Sequence, residues 1–97
     1  MFARVGTFQL QPGKMDEGIQ IYHDSVVPAA RQERGFKGAF LLTDHNSNKA
    51  ISITLWETEA DMRAGEVSGY LREQLAKATS VLTAGPVVES FEVAVQG

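Results

Sequence analysis

The side chains with the most chemical potential in this sequence are Tyr22, His23, Trp56, Tyr70 and Arg72. An imidazole with an ordinary pKa of about 6.5 can abstract a proton near neutrality, so His23 is the candidate base. It sits beside the apolar stripe of its helix, about 70° from the centre at ~100° per residue. The competing reading is a half-exposed boundary histidine. Tyr70 is the second candidate catalytic residue. It follows the glycines Gly65 and Gly69, where a loosened helix can lid a pocket, and Arg72 beside it can pair with an anionic group of a substrate. An ordinary surface pair explains Tyr70 and Arg72 as well. Trp56 can stack on an aromatic ligand or anchor a strand or an interface. Tyr22 falls on the helix stripe itself, where core packing competes with ligand binding. His45 lies in a polar turn and reads as solvated.

Other chemistries are absent from the pattern. There is no cysteine, which removes disulfides, thiolate nucleophiles and thiolate metal sites. The acids Asp16–Glu17, Glu57–Glu59–Asp61 and Glu89–Glu92 match no metal-binding loop, so no metal is expected. The glycines never fall as GxGxxG or GxxxxGK, and no nucleophile elbow occurs. With a net charge of −3 and its nine Lys and Arg scattered singly, the chain offers no stripe for nucleic acid or an anionic membrane. No apolar run approaches the ~18 residues that span a bilayer, and the first residues lack the basic and apolar regions of a signal peptide. The expectation is a soluble cytoplasmic protein of one domain, residues 1–97.

The elements that must position these residues follow from periodicity. Phe2 to Leu10 alternates as a strand, stopped by Gln11-Pro12-Gly13. From Lys14 the apolar stripe Met15, Ile19, Tyr22, Val26, Ala29/Ala30 predicts a helix, with a kink or restart at Pro28 and a C-cap at Gly35. Phe36–Asp44 and Lys49–Glu57 read as a hairpin around His45-Asn46-Ser47-Asn48. Thr58 caps a second helix in two pieces, roughly 59–66 and 68–80, broken near Gly65 and Gly69. Gly85-Pro86 precedes a last strand, Val87 to Val95. Arg4 is a charge inside an apolar strand and needs a partner, for which Glu89 or Glu92 serves if the first and last strands are neighbours.

Strand, helix, strand, strand, helix, strand is the α+β, ferredoxin-like βαββαβ order: a four-stranded antiparallel sheet with both helices on one face. The opposite face still carries apolar residues, and Trp56, with Ser52 and Thr54, is expected to point there. A second copy packing sheet to sheet would cover it, which predicts a homodimer.

Val27-Pro28-Ala29-Ala30-Arg31 with Gly35-Phe36-Lys37-Gly38-Ala39, the run from Ile53 to Met62 and the closing Phe91-Glu92-Val93 resemble the antibiotic biosynthesis monooxygenase family. The resemblance covers nearly the whole chain, and most of what it matches is scaffold. It implies a dimeric α/β barrel and a cofactor-independent monooxygenase acting on a quinol or polyphenolic substrate, in which the deprotonated substrate itself reduces dioxygen. The alternative is a non-catalytic dimeric module that binds a small, aromatic molecule or serves in stress response. Of the pocket residues that such oxygenases use, only Trp56, Tyr22, Tyr70 and Arg72 have counterparts of the right type, with no fixed roles. The haem-degrading branch uses an Asn late in strand one, a Trp in helix two and a His after it. Here Gln9 and Gly65 stand near the first two positions and no His follows His45, so that activity does not carry over.

Overall fold

The computed structural model describes residues 1–97. Strand β1 (Phe2–Gln9) is followed by α1 (Met15–Ile21), a π-helical turn (Tyr22–Val26) and α2 (Val27–Arg31). The hairpin β2 (Phe36–Asp44) and β3 (Lys49–Trp56) leads into α3 (Glu59–Val67), α4 (Tyr70–Ala78), a 3₁₀ turn (Thr79–Val81) and β4 (Val87–Glu92). The strands are antiparallel in the order β2-β3-β1-β4, as the ferredoxin-like reading requires. The last strand ends at Glu92, short of the expected Val95.

Local chemistry accounts for the breaks. Pro28 cannot donate to a carbonyl one turn back. The helix answers by widening just before it: Val27 N–H bonds the Tyr22 carbonyl, five residues back. Helical geometry therefore continues through Val27, with a π turn in place of the expected kink. Pro28 stands in the first turn of the short piece Val27–Arg31 that follows, which is the restart the sequence predicts. The Thr58 hydroxyl caps α3 by accepting from Asp61 N–H at 3.1 Å. Ser68 and Gly69 end α3, and Gly69 takes φ +88°, turning the chain so that α4 starts with Tyr70.

Register decides which residues meet the helices. Trp56 pairs with Phe2 and Phe36, Thr54 with Arg4 and Ala39, Ser52 with Gly6 and Leu41, and Ala50 with Phe8. This set faces the helix layer: Trp56 is 1% exposed, and its indole N–H donates to Thr54 Oγ1 at 3.0 Å. The expectation that Trp56, Ser52 and Thr54 look outward is thereby corrected. Both faces of these strands carry apolar residues, so alternation assigns partners to one face without saying which face the helices cover. The outer face is instead Val5, Phe40, Leu42, Ile51, Ile53, Leu55, Val87 and Phe91. Phe40 and Val87 there are more than half exposed. Only 13 of 97 residues are buried, centred on Leu10, Met15, Ala50 and Val81 between sheet and helices, so this subunit's own core is thin.

Gly35 closes the α2–β2 connection at φ +83°, and its carbonyl accepts from Glu57 N–H at 2.7 Å. A Cβ there would collide with the Asp61 carboxylate. Gly35→Ala is therefore expected to lower unfolding free energy by about 2 kcal/mol or more, measured by urea denaturation. A loss within ~0.5 kcal/mol would show that the connection relaxes freely.

Candidate functional site

Between the sheet and the helices lies a cavity, partly open to solvent and enclosing about 100 Å³. An engineered cavity of about 150 Å³ takes benzene, so this one offers somewhat less room than a single small ring and must open slightly to hold one. Its wall changes character along β1, from Arg4 through Gly6 and Phe8 to Leu10. At the Leu10 end, Met15, Ile19, Val81 and Leu82 make it apolar. The polar residues of the wall are Arg4, Ser52, Thr54, Tyr22, Tyr70 and Gln74, with Thr54 directly across the sheet from Arg4. No Asp, Glu or His side chain lines the wall.

Two tyrosines arrive by different local devices. Tyr22 begins the π turn, and its hydroxyl lies 2.9 Å from Ser52 Oγ and donates to the Phe40 carbonyl at 3.2 Å. Burial raises its pKa, against a small opposing pull from the Ser52 hydrogen bond. Tyr70 is delivered by the turn at Gly69 and packs edge-on against Trp56, ring centres 6.3 Å apart. Burial first, then the negative charge of Glu33, pushes its pKa up to about 12. Both phenols are therefore neutral donors at physiological pH.

Arg4 is the cation of this wall. It is 6% exposed and lies over the Trp56 ring at 5.6 Å from the centroid. Its Nη2 donates to the Met62 carbonyl and stands 3.5 Å from Glu66 on α3. Burial pulls its pKa down while Glu66 pushes it back up, and a guanidinium stays charged under either influence. Arg4 thus finds its partner on the helix layer, correcting the expected pairing with Glu89 or Glu92 on β4. Arg4 pairs across the sheet with Ser90 of β4.

The candidates from sequence separate into three groups. Tyr22 and Tyr70 share the cavity wall. Trp56 is not on the wall; it lies beneath Arg4 and Tyr70 and fixes both. His23 and Arg72 are elsewhere. The His23 side chain is 83% exposed and its Nδ1 contacts Asp24 Oδ1 at 2.7 Å, because the π turn carries it to solvent; the expected inward placement does not hold. Arg72 borders a separate shallow depression with Thr79, Thr83 and Pro86, whereas Arg4 is the arginine on this cavity's wall. Sequence reasoning missed Ser52, Thr54 and Gln74 as wall residues. The signal for the first two was Trp56: a large indole needs a buried N–H partner, and Thr54 two residues away on the same face supplies it. Gln74 had none, since a polar residue in an amphipathic helix reads as exposed.

The hydroxyl environments predict an alkaline signature. Phenol groups held protonated in the fold, but free to ionise when unfolded, lend stability that is complete below the ordinary tyrosine pKa and is lost as pH rises toward 12. Tyrosinate absorbance of the folded protein should therefore develop late, with the last step missing in Tyr70→Phe. A folded wild type whose tyrosines all ionise near pH ~10 would contradict this placement.

Comparison with known proteins bears on the chain as a whole. The chain is 34% identical over 95 residues to the uncharacterized protein Rv2557 of Mycobacterium tuberculosis, covering 97% of this chain and 41% of that one. It is 39% identical over 64 residues to Rv2558 of the same organism, covering 66% of this chain and 27% of that one. The chain thus spans well under half the length of the curated relatives it matches. SnoaB, a cofactor-independent oxygenase from Streptomyces nogalater, superposes with a TM-score of 0.80 at 14% identity, over 98% of this chain and 94% of that one. The monooxygenase ActVA-Orf6 of Streptomyces coelicolor, solved with nanaomycin D, gives 0.74 at 22% identity, over 99% and 91%. At these identities the likeness is one of fold. The sequence profile of the antibiotic biosynthesis monooxygenase family matches residues 1–77, and the chain belongs to that family.

Proposed function

We propose that the cavity binds a small phenolic or quinol-type ring and that the protein acts on it as a cofactor-independent monooxygenase. The observation that carries this reading is the graded wall: an apolar floor around Leu10 and Met15, and a polar end where Tyr22, Tyr70 and Arg4 converge. The family and the fold shared with oxygenases support it. The chemistry needs no external reductant. An ionised phenol gives electrons to dioxygen and forms a C–O bond at a ring carbon as a peroxide. Loss of water then leaves a quinone. One oxygen atom enters the product and the other leaves as water, and the substrate supplies all four electrons.

Within this reading Tyr70 donates a hydrogen bond to the substrate oxygen, Tyr22 stays tied to the Phe40 carbonyl and Ser52 as part of the wall, and the apolar floor excludes water from the ring carbon that reacts. Trp56 positions Tyr70. A fused polyphenol needs more room than one ring, and the Ser68–Gly69 break is where α3 and α4 can separate to admit it. A second reading, a non-catalytic binding module, draws on the absence of any carboxylate or imidazole on the wall. Oxygen uptake with a panel of hydroquinones and naphthols separates the two. The oxygenase reading expects uptake above the uncatalysed rate, reduced roughly 10- to 100-fold in Tyr70→Phe by loss of a hydrogen bond to an anion, and unchanged in His23→Ala. No uptake above background with any member of the panel leaves the binding module.

The outer sheet face supports a homodimer packed sheet to sheet. Phe40, Leu42, Val87 and Phe91 on that face are each half exposed or more, apolar surface that a second copy would cover. Sedimentation equilibrium at micromolar concentration should give twice the chain mass, shifting toward the monomer in Phe40→Asp. A wild-type monomer would exclude this assembly.

A further inference from the structure

Arg4 is under-used by the protein. A guanidinium carries five N–H donors. Only Nη2 is engaged, by the Met62 carbonyl and Glu66, which leaves Nε and Nη1 without a protein acceptor. Neither is sealed away, since no buried polar side-chain atom lacks a partner. The residue that bears them is nonetheless 6% exposed and lies on the cavity wall. Two further donors line the same cavity. The buried Gln74 amide turns Oε1 to Lys77 Nζ at 2.9 Å, and its Nε2 has no protein acceptor. The Tyr70 hydroxyl also stands on the wall without a bonded partner. The wall therefore presents donors from Arg4, Gln74 and Tyr70 and no carboxylate to answer them. The one acid near Arg4, Glu66, is about a third exposed and is shared with Arg63 at 3.2 Å, so its charge is divided between two guanidinium groups.

A cation held this way is costly to desolvate unless an anion compensates it. We infer that the cavity is an anion-selective site, in which Arg4, aided by Gln74 and Tyr70, binds the anionic oxygen of a small aromatic acid or phenolate in competition with Glu66. This deepens the functional reading above by naming the residues that would select an anionic ligand and the acid that competes with it, and rests on that reading only for the ring. Glu66 is then a positioning residue: it holds the guanidinium over Trp56 while the site is empty and yields to the ligand's oxygen. Because Glu66 belongs to α3, exchange of the ion pair would also loosen the helix nearest the break at Gly69.

Benzoate and benzamide test charge selectivity without any redox step, so the outcome is separate from that of the oxygen-uptake experiment. Calorimetric titration of the wild type should show benzoate binding at least about tenfold more tightly than benzamide, the scale of one charge-assisted hydrogen bond. Arg4→Met, which keeps an apolar stem over Trp56, should abolish the preference, and Arg4→Lys should restore part of it. Glu66→Gln provides the check should Arg4→Met fold poorly. It removes the competitor, so benzoate should bind several-fold more tightly and benzamide should not change. Equal affinities for the two ligands, no benzoate binding at millimolar concentration, or weaker benzoate binding in Glu66→Gln would each overturn the assignment.

Discussion

The placement of Arg4 is the constraint on which the rest of the site depends. A guanidinium inside a β-strand must be desolvated, and that cost is tolerable only with an aromatic face, a carbonyl and a counter-charge at hand. Trp56 of β3 supplies the face, Met62 the carbonyl and Glu66 the charge, the last two from α3. One side chain thus ties the sheet's middle strands to the second helical segment. Trp56 in turn is immobilised by its bond to Thr54 and by edge contacts with Phe36 and Tyr70, ring centres 5.7 and 6.3 Å away. The polar end of the cavity is therefore one cross-linked cluster.

Two interruptions of helical order serve that cluster. The π turn ahead of Pro28 lets Tyr22 reach Ser52 on the sheet while carrying His23 to solvent. The left-handed Gly69 redirects the chain so that Tyr70 packs against Trp56. Regular helices would leave both hydroxyls at positions set by the 3.6-residue repeat alone. Such departures gather at sites where side-chain direction matters more than helical regularity. The outer sheet face has the opposite character. It is mainly apolar, interrupted by Thr7 of β1 and Glu89 of β4, and it suits packing better than chemistry.

Much of the architecture was legible in the amino-acid pattern. Period-two alternation, the hairpin residues His45 to Asn48, the Thr58 cap and the glycine break marked every strand and both helical segments to within a few residues. The pairing of the first and last strands was anticipated as a condition for Arg4 and holds, although Arg4 looks elsewhere. Tyr22 and Tyr70 were identified as candidate site residues, and both line the cavity. What misled was the sheet. With Val5, Ile51 and Ile53 on one face and Phe2, Phe8 and Trp56 on the other, alternation is satisfied by either orientation. Assigning Trp56 to the outside removed Arg4, Ser52 and Thr54 from the site in one step, since a face is chosen for all residues of one parity together.

The sequence by itself determined the order of elements, the absence of thiol chemistry, the need for Arg4 to find a partner and the apolar character of both sheet faces. These rest on residue type and local spacing, which act over a turn or a strand pair. The tertiary structure alone decided which face the helices cover, that Arg4 answers to Glu66 across 62 positions of chain, and that His23 and Arg72 stand apart from the cavity. Those outcomes depend on how whole layers rotate and dock, and packing between layers is set by the summed burial of many side chains. No single residue's propensity contains it.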